Sequence, residues 1–305
     1  MELKLTDICK NFGEKEVLKN VSFTAEGGKA LGLLGRNGAG KTTTIRIIMG
    51  VFFADSGTIE TDGSPIQRSN IRFGYMPEER GLYPKQLISN QLIYLAQLRG
   101  MSRSDAQKSC DKWLDRMEMS EYKNKKLETL SKGNQQKIQL AATLMCHPQI
   151  VILDEPFSGL DPVNAMLLKD VIKEMIASGT TVLFSSHQMN YIEEFCESIA
   201  ILNDGHIVLD GKINQIKRSY PRDKILIISP QAEKLISFVL QKMSGEILTA
   251  QNEDDPHHVI IKLKDPDFKL SLMRVLSDSS FDIDCFQVCE PSLNDIFVQY
   301  TEAGI

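Results

Sequence analysis

Residues 35–42 are the most informative stretch of the sequence and read Gly35-Arg36-Asn37-Gly38-Ala39-Gly40-Lys41-Thr42. They fit the pattern G-x-x-x-x-G-K-[ST], in which glycines allow the backbone to wrap closely around phosphate groups. The apolar run Ala30–Leu34 precedes the loop as a predicted strand, and Lys41–Met49 follows it with helical spacing. Because strand, loop and helix occur in this order, a phosphate-binding loop is favoured over a chance glycine-rich turn.

This loop predicts how a nucleotide is held. Its backbone N–H groups and the N-terminal end of the following helix favour negatively charged phosphates. Lys41 can bridge the β- and γ-phosphates, and the Thr42 hydroxyl can ligate Mg²⁺. Thr43 follows directly and completes the predicted nucleotide-binding segment. The expected ligands are therefore a nucleoside triphosphate and Mg²⁺.

A second informative stretch, Ile150–Glu155, is an apolar strand that ends in two carboxylates. Adjacent side chains at a strand end point in different directions, so the two acids are predicted to have different roles. Asp154 is expected to reach Mg²⁺, and Glu155 is expected to orient or deprotonate the attacking water. Taken alone, the pair also fits an acidic turn that caps the next helix, but its position after a phosphate loop favours catalysis.

Apolar runs of strand length alternate with helical stretches along the first two thirds of the chain. Several runs are continuously apolar, as in strands buried on both faces of a mostly parallel sheet. The predicted strands are Leu3–Ile8, Val17–Thr24, Ala30–Leu34, Gly57–Thr61, Ile71–Met76, Ile150–Leu153, Thr180–Phe184 and Ile199–Leu202. Residues 86–148 contain only helical stretches, which predicts a helical subdomain inserted into an α/β layer.

A domain boundary is predicted near Lys217–Asp223, where Pro221 and a cluster of charges interrupt the regular pattern. Beyond it, six predicted elements follow the order β-α-β-β-α-β, which is typical of a ferredoxin-like fold. A last helix is predicted over residues 291–300. We therefore predict a first domain over residues 1–218 and a small α+β domain over residues 222–305.

Composition and charge disfavour several classes of function. The net charge is −5, and residues 221–305 hold 14 acidic and 8 basic side chains. Nucleic acid is disfavoured as a partner, because phosphate binding needs a positive surface. The absence of a signal-peptide pattern and of an apolar run of about 18 residues predicts a soluble, cytoplasmic chain. The six cysteines form no C-x-x-C pair and predict neither a disulfide framework nor a zinc site.

Further strings resemble the ATP-binding cassette (ABC) family over about residues 2–215, which implies the P-loop NTPase fold of the ABC ATPases. The most specific string, Leu130-Ser131-Lys132-Gly133-Asn134-Gln135-Gln136-Lys137, looks like the ABC signature. The resemblance implies that this segment begins a helix and clamps the γ-phosphate of an ATP held by an opposite subunit. Ser131, Gly133 and Asn134 would lie at that contact. Read alone, the string is a polar helix cap.

Three other residues take family roles by resemblance. Ser158-Gly159-Leu160-Asp161 resembles the D-loop, which places Asp161 near the nucleotide at the interface between subunits. His187 resembles the switch histidine that contacts the γ-phosphate, and Phe12 resembles the aromatic residue that stacks on adenine. Without the resemblance, His187 and Phe12 would be interpreted as structural residues.

One departure from the family pattern lies in the loop after Ile71–Met76. Most members have glutamine at the position of Glu78, where it senses Mg²⁺ and contacts the permease. A carboxylate can also approach the metal, and it adds negative charge beside ATP. The string Pro77-Glu78-Glu79-Arg80-Gly81-Leu82-Tyr83 resembles bacterial efflux-type cassettes, including sodium-export ones, and Glu290-Pro291-Ser292-Leu293-Asn294-Asp295-Ile296-Phe297 resembles the end of their accessory domain.

The resemblance implies an ATP-hydrolysing transporter subunit with Lys41, Glu155 and His187 as catalytic residues. Two cassettes would close head-to-tail around two Mg-ATP and drive a permease on a separate chain. The protein would then lie at the cytoplasmic face of the plasma membrane in an exporter of sodium, a drug or another small solute. The main alternative is a soluble ABC-type ATPase acting on a partner such as the ribosome. A P-loop phosphotransferase or a non-catalytic regulatory cassette fits the motifs less well.

Overall fold

The computed structural model describes residues 1–79, 81–252 and 255–302. The chain divides into two compact units: Met1–Ile213 together with Phe297–Ile305, and Asn214–Ile296. Arg80, in the string that resembles efflux-type cassettes, lies outside the described residues, as do residues 253–254 and 303–305 of the predicted second domain. The boundary predicted between residues 218 and 222 stays a prediction.

The first unit alternates strands and helices, as predicted. Its strands are β1 (Leu3–Phe12), β2 (Lys15–Ala25), β3 (Ala30–Leu34), β4 (Ser56–Thr61), β5 (Ser64–Pro65), β6 (Phe73–Met76), β7 (Ile150–Asp154), β8 (Thr181–Ser185), β9 (Ser198–Asn203) and β10 (His206–Lys212). Its helices are α1 (Lys41–Ile48), α2 (Ile88–Leu98), α3 (Arg103–Arg116), α4 (Lys132–Leu144), α5 (Pro162–Ala177) and α6 (Met189–Phe195).

Two sheets form the frame of this unit. The larger has the order β10-β9-β3-β8-β7-β6, in which only β10 pairs antiparallel with its neighbour. The smaller, β2-β1-β4-β5, is antiparallel. Strands β3, β7 and β8 are buried almost throughout. Their continuous apolar runs follow from this position, because a strand covered on both faces has no solvent side.

One hydrophobic core joins the two sheets and α1. It includes Leu5 and Val21 of the antiparallel sheet, Leu33 and Ile152 of the parallel sheet, and Ile47 of α1, each at most 1% exposed. Burying one such side chain stabilises the fold by roughly 1.5–3 kcal/mol. The helix that follows the glycine-rich loop is therefore anchored on both sheets.

Helices α2, α3 and α4 form the predicted insertion between β6 and β7. Ser102 caps α3 by accepting a hydrogen bond from the Asp105 amide at 3.1 Å. The Arg99 guanidinium donates to the Ala142 carbonyl oxygen at 3.0 Å, which ties the end of α2 to α4. Within the described ranges, no helix has the length and hydropathy needed to cross a bilayer.

The second unit has one antiparallel sheet with the order β12-β13-β11-β14. Its strands are β11 (Lys224–Ile228), β12 (Ile247–Asn252), β13 (His258–Leu263) and β14 (Cys285–Cys289), and the helices of this part of the chain are α7 (Ile213–Ser219), α8 (Ala232–Lys242), α9 (Lys269–Ser277) and α10 (Leu293–Glu302). This element order and strand order confirm the ferredoxin-like prediction. Helix α10 continues beyond the unit, since Phe297 and later residues belong to the first unit.

Two edge strands, β5 and β10, were not anticipated. In β10 every second residue is exposed, and the strand carries Asp210 and Gly211, so it lacks the apolar run that marks a buried strand. The predicted strand Ile71–Met76 begins at Phe73, because Asn70 ends a short 3₁₀ helix (Arg68–Asn70) just before it.

Candidate functional site

The carboxyl ends of four neighbouring parallel strands meet at one pocket. Strands β3, β8, β7 and β6 are adjacent in the sheet, so the loops that follow them lie side by side. The pocket has a volume of about 1090 Å³. It is lined by Val17, Gly35, Arg36, Asn37, Gly38, Gly40, Lys41, Thr42, Thr43, Glu78, Asp154, Glu155, Ser185, His187 and Phe297. The structure thus brings the predicted phosphate loop, the acidic strand end and His187 together.

The phosphate loop leads from β3 into a helix with an uncapped start. Gly40 precedes α1 with a φ of 114°, and no side chain caps the helix N-terminus. A Cβ on Gly40 would lie 2.6 Å from Leu18 Cδ2 and 3.2 Å from the Val17 carbonyl oxygen, so only glycine fits. With no side chain in competition, the first amides of α1 can bind an anion.

Lys41 is held inside this loop. Its ammonium group donates to the Gly35 carbonyl oxygen at 2.5 Å and to that of Arg36 at 3.2 Å. Burial lowers the pKa of Lys41, and the nearby carboxylates of the pocket partly oppose this effect. A positive charge that is partly removed from water attracts phosphate more strongly than an exposed one.

Glu155 is the most constrained carboxylate of the pocket. It is 8% exposed, and its φ of 51° lies in the left-handed region, which costs a non-glycine residue about 1–3 kcal/mol. The Ser186 hydroxyl donates to Oε2 at 3.0 Å, and the His187 amide donates to Oε1 at 2.7 Å. His187 Nδ1 lies 2.8 Å from the same Oε1. These contacts fix both carboxylate oxygens at the end of β7.

Thr42, Asp154 and Glu78 supply oxygen atoms to the same pocket. Burial raises the pKa of Asp154, and the negative charges of Glu155 and Glu78 act in the same direction. No cluster of three or more His, Cys, Asp or Glu side chains suited to a metal occurs in the described part of the chain. Mg²⁺ needs no such cluster, because it is usually held by one or two carboxylates, waters and substrate phosphates. The donors present fit Mg²⁺ bound together with a nucleotide.

The predicted signature segment lies outside this pocket. Ser131 is exposed and caps α4, accepting a hydrogen bond from the Asn134 amide at 3.3 Å. Gly133 is buried, and a Cβ there would lie 3.1 Å from Asn164 Nδ2. Asp161 caps α5 by accepting from the Asn164 amide at 3.0 Å. Ser131, Gly133, Asn134 and Asp161 are thus not brought to the nucleotide pocket of their own chain.

Phe12 and Ala39, two further predicted nucleotide-binding residues, are also absent from the pocket lining. Phe12 is 44% exposed and packs edge-on against Phe52, with ring centroids 5.4 Å apart. The Ala39 amide donates to the Arg36 carbonyl oxygen at 3.1 Å, and its carbonyl oxygen accepts from the Gly205 amide at 3.2 Å. Ala39 therefore shapes the loop through its backbone, and the stacking role of Phe12 stays a prediction.

Two buried glutamines of α4 support the site and were not anticipated. Gln136 Nε2 donates to the Pro156 carbonyl oxygen at 3.0 Å, and Gln139 Nε2 donates to that of Pro77 at 2.9 Å. These bonds tie α4 to the residues that follow Glu155 and precede Glu78. Gln139 lies between Ile138 and Leu140, and this was the available signal, because a buried amide needs a partner. Gln136 lies between Gln135 and Lys137 and gave no such signal.

An aromatic cluster also joins two of the loops. Phe157, just after Glu155, stacks on Tyr191 with centroids 4.1 Å apart and on Phe195 with centroids 5.5 Å apart. Each such pair contributes about 0.5–1.5 kcal/mol beyond the area it buries. Because both partners lie on α6, the cluster holds the segment after Glu155 beside the helix that follows His187.

The chain is similar to known proteins along nearly all of its length. Residues 18–158 match the family model described as ABC transporter, and residues 211–301 match that of the C-terminal domain of ATP-binding proteins like DrrA1-3. The ABC transporter ATP-binding protein YhaQ of Bacillus subtilis (strain 168) is 40% identical over 298 residues, covering 97% of each chain. Nod factor export ATP-binding protein I of Burkholderia lata is 31% identical over 268 residues, covering 85% of this chain and 88% of that protein.

A solved structure described as the ATP-binding subunit of an ABC transporter shares the fold. Its TM-score is 0.66 at 29% identity, and the match covers 72% of this chain and 93% of that one. The P-loop NTPase fold of the ABC type is thereby confirmed, and ATP binding with hydrolysis follows from family membership. The similarity at 40% identity over almost the full length decides the assignment: this chain belongs to the ABC transporter family, as an ATP-binding and ATP-hydrolysing subunit.

Proposed function

We propose that this subunit closes head-to-tail with a second copy of itself, or with a homologous cassette, around two Mg-ATP and powers a separate membrane permease. One observation carries the proposal: the predicted site is divided between two places on the chain. The pocket contains the phosphate loop, Asp154 and Glu155, whereas Ser131 lies outside it on the exposed start of α4. A second cassette would supply the missing Ser131.

Within the pocket, the loop from Gly35 to Thr43 binds the triphosphate through backbone amides. Lys41 neutralises the charge that develops on the β- and γ-phosphates. Thr42 and Asp154 would hold Mg²⁺ together with phosphate oxygens, and Glu78, whose charge acts on Asp154, lines the same pocket. When bound there, the metal would supply charge neutralisation and would help to orient the phosphates.

Glu155 acts as the general base, and His187 positions it and contacts the γ-phosphate. This assignment is supported by a carboxylate that is buried and already oriented by Ser186 and His187. A base held in one orientation needs no rearrangement when the attacking water arrives. The exposed His187 ring, 73% accessible, leaves room for contact with a ligand.

Across the interface, Ser131, Gly133 and Asn134 contact the γ-phosphate bound by the other cassette. The N-terminal amides and dipole of α4 favour an anion there. Asp161 lines the same interface from the start of α5. Because these contacts exist only in the closed pair, ATP shifts the equilibrium towards closure and hydrolysis releases it.

Export is the favoured direction of transport. It is supported by the Nod factor export relative and by the efflux-type string at residues 77–83. The cargo is sodium, a drug or another small solute, and its route lies in the permease. The subunit acts at the cytoplasmic face of the plasma membrane, bound to that permease.

The test replaces the proposed base by its amide. Glu155→Gln keeps the size of the side chain and removes its basicity, so steady-state hydrolysis should fall about 10²–10⁴-fold. ATP binding should be retained, and the variant should accumulate as an ATP-bound dimer in sedimentation velocity. Glu128→Gln, at an exposed site outside the pocket, is the matched control and should hydrolyse ATP like the unmodified chain.

Ser131→Arg, added to Glu155→Gln, separates dimer closure from nucleotide binding. The double variant should bind ATP and remain monomeric. Full turnover in Glu155→Gln would reject Glu155 as the base. An ATP-dependent dimer that survives Ser131→Arg would reject the proposed sandwich.

A further inference from the structure

Two apolar residues line the nucleotide pocket and are not accounted for by the family motifs. Among the described residues that line it, Val17 and Phe297 have apolar side chains, and the others are glycines or carry polar or charged groups. Val17 lies on β2, with its carbonyl oxygen close to Gly40 of the phosphate loop. Phe297 lies on α10, near the end of the chain, in the segment that belongs to the first unit.

One hydrogen bond ties α10 to the end of β9, and a second lies within the helix at Phe297. The Asn203 side-chain amide donates to the Tyr300 carbonyl oxygen at 3.2 Å, and the hydroxyl of buried Thr301 donates to the Phe297 carbonyl oxygen at 2.8 Å. Asn203 ends β9, and the Gly205 amide, two residues later, donates to the loop residue Ala39. A short chain of contacts therefore connects the phosphate loop to the turn of α10 that carries Phe297.

The chemistry of ATP suggests which part of the nucleotide these two apolar residues contact. The triphosphate requires amides, Lys41 and a metal, and these groups occupy the polar part of the pocket. The nucleoside is the part of ATP that gains from apolar and aromatic contact. Phe12, the expected stacking residue, packs against Phe52 instead of lining the pocket. The Phe297 ring is only partly buried and has surface left for a ligand.

We propose that Phe297 is a nucleotide-contacting residue whose ring covers the nucleoside part of ATP beside Val17. The C-terminal helix α10 then contributes directly to ATP affinity, in addition to the strands and loops of the cassette motifs. This inference rests on ATP binding at the phosphate loop, and it does not depend on the dimer or the permease.

The experiment compares two neighbouring residues of α10. Phe297→Ala removes the ring, whereas Val298→Ala shortens an exposed side chain that does not line the pocket. Affinities for ATP and for inorganic tripolyphosphate are measured by titration calorimetry on the full chain. Since an aromatic contact with a base is worth about 1–3 kcal/mol, Phe297→Ala should weaken ATP binding at least fivefold.

Tripolyphosphate provides the internal control for folding. It uses only the phosphate loop, so its affinity should stay within about twofold in both variants, and Phe297→Tyr should restore ATP affinity. Equal ATP affinities of Phe297→Ala and Val298→Ala would overturn the proposal and leave the ATPase assignment intact. Parallel loss of ATP and tripolyphosphate affinity would also overturn it, because the ring would then only support the loop.

Discussion

Helices α1 and α4 both begin with a lysine, but their N-termini have different surroundings. Lys41 opens α1 and Lys132 opens α4, and neither first turn contains an acidic residue. A cation at the N-terminus of a helix destabilises the helix by about 0.3–1 kcal/mol, because it faces the positive end of the helix dipole. In contrast, α3 begins with a Ser102 cap and has Asp105 in its first turn, the arrangement that stabilises an isolated helix.

The difference lies in what each start contacts. The start of α1 has no side-chain cap and lines the pocket, whereas that of α4 is exposed and its amide at Asn134 is already bound to Ser131. The phosphate loop is complete within one chain. In α4, the Asn134 amide is hydrogen-bonded to Ser131 of the same chain. In our proposal, a phosphate bound to a second cassette replaces this cap.

Within this comparison, the largest effect should come from replacing the first lysine of α1. Lys41→Met removes the charge inside the pocket, and hydrolysis should fall about 10²–10³-fold, as when a preorganised electrostatic donor is lost. Lys132→Met removes the equivalent charge from α4 and should cost less than about tenfold. Steady-state phosphate release measures both. Equal losses would contradict the assignment of different roles to the two helix starts.

A smaller effect on hydrolysis is expected from removing the serine caps of α4 and α3. Ser131→Ala should lower hydrolysis about 10–10²-fold, since a hydrogen bond to a charged group contributes about 1.5–3 kcal/mol. Ser102→Ala should leave hydrolysis unchanged. Both should lower the free energy of unfolding by about 0.5–2 kcal/mol, the usual value of a cap.

Urea unfolding and ATPase assays on the same preparations separate stability from activity for these caps. If Ser102→Ala reduced hydrolysis as much as Ser131→Ala, loss of stability would explain both results. The role of Ser131 at phosphate would then be wrong.

The smallest expected effects are changes in the stability of the fold when Asp154, in the pocket, or Asp161, at the start of α5, is replaced. Burial raises the pKa of Asp154, so its ionised form destabilises the fold at neutral pH, and Asp154→Asn should raise the urea midpoint. Hydrogen bonds from the Asn164 backbone and side chain lower the pKa of Asp161, so its ionised form stabilises the fold. Asp161→Asn keeps the cap, and the midpoint should fall slightly.

The pH dependence of these two aspartate variants follows from the directions of the shifts. The gain from Asp154→Asn should disappear below the ordinary aspartate pKa of 3.8, where the carboxyl is protonated in both the folded and unfolded states. The loss from Asp161→Asn should persist to lower pH, because its folded-state pKa lies below 3.8. Midpoints measured between pH 7 and pH 3 test both, and shifts of the same sign would contradict the comparison.

Much of the cassette could be predicted because its signals are local. The glycine loop, the acidic end of β7 and the helical insertion each depend on residues that are close in sequence. Edge strand β10 was missed because an exposed strand has no continuous apolar run. The assignment of Asp161 to a nucleotide at the interface between subunits stays a prediction, because within one chain its carboxylate caps α5.

Sequence alone determined the phosphate loop, the two carboxylates and the alternation of strands and helices, because backbone freedom, charge and hydrophobic periodicity are local properties. Only the tertiary structure decided that Glu155 accepts hydrogen bonds from Ser186 and His187. It also decided that Ser131 lies outside the nucleotide pocket and that Phe297 lines this pocket. These facts depend on which strand ends and which helix meet across the sheet. The spacing of residues along the chain does not predict these contacts, because they depend on how the whole core packs.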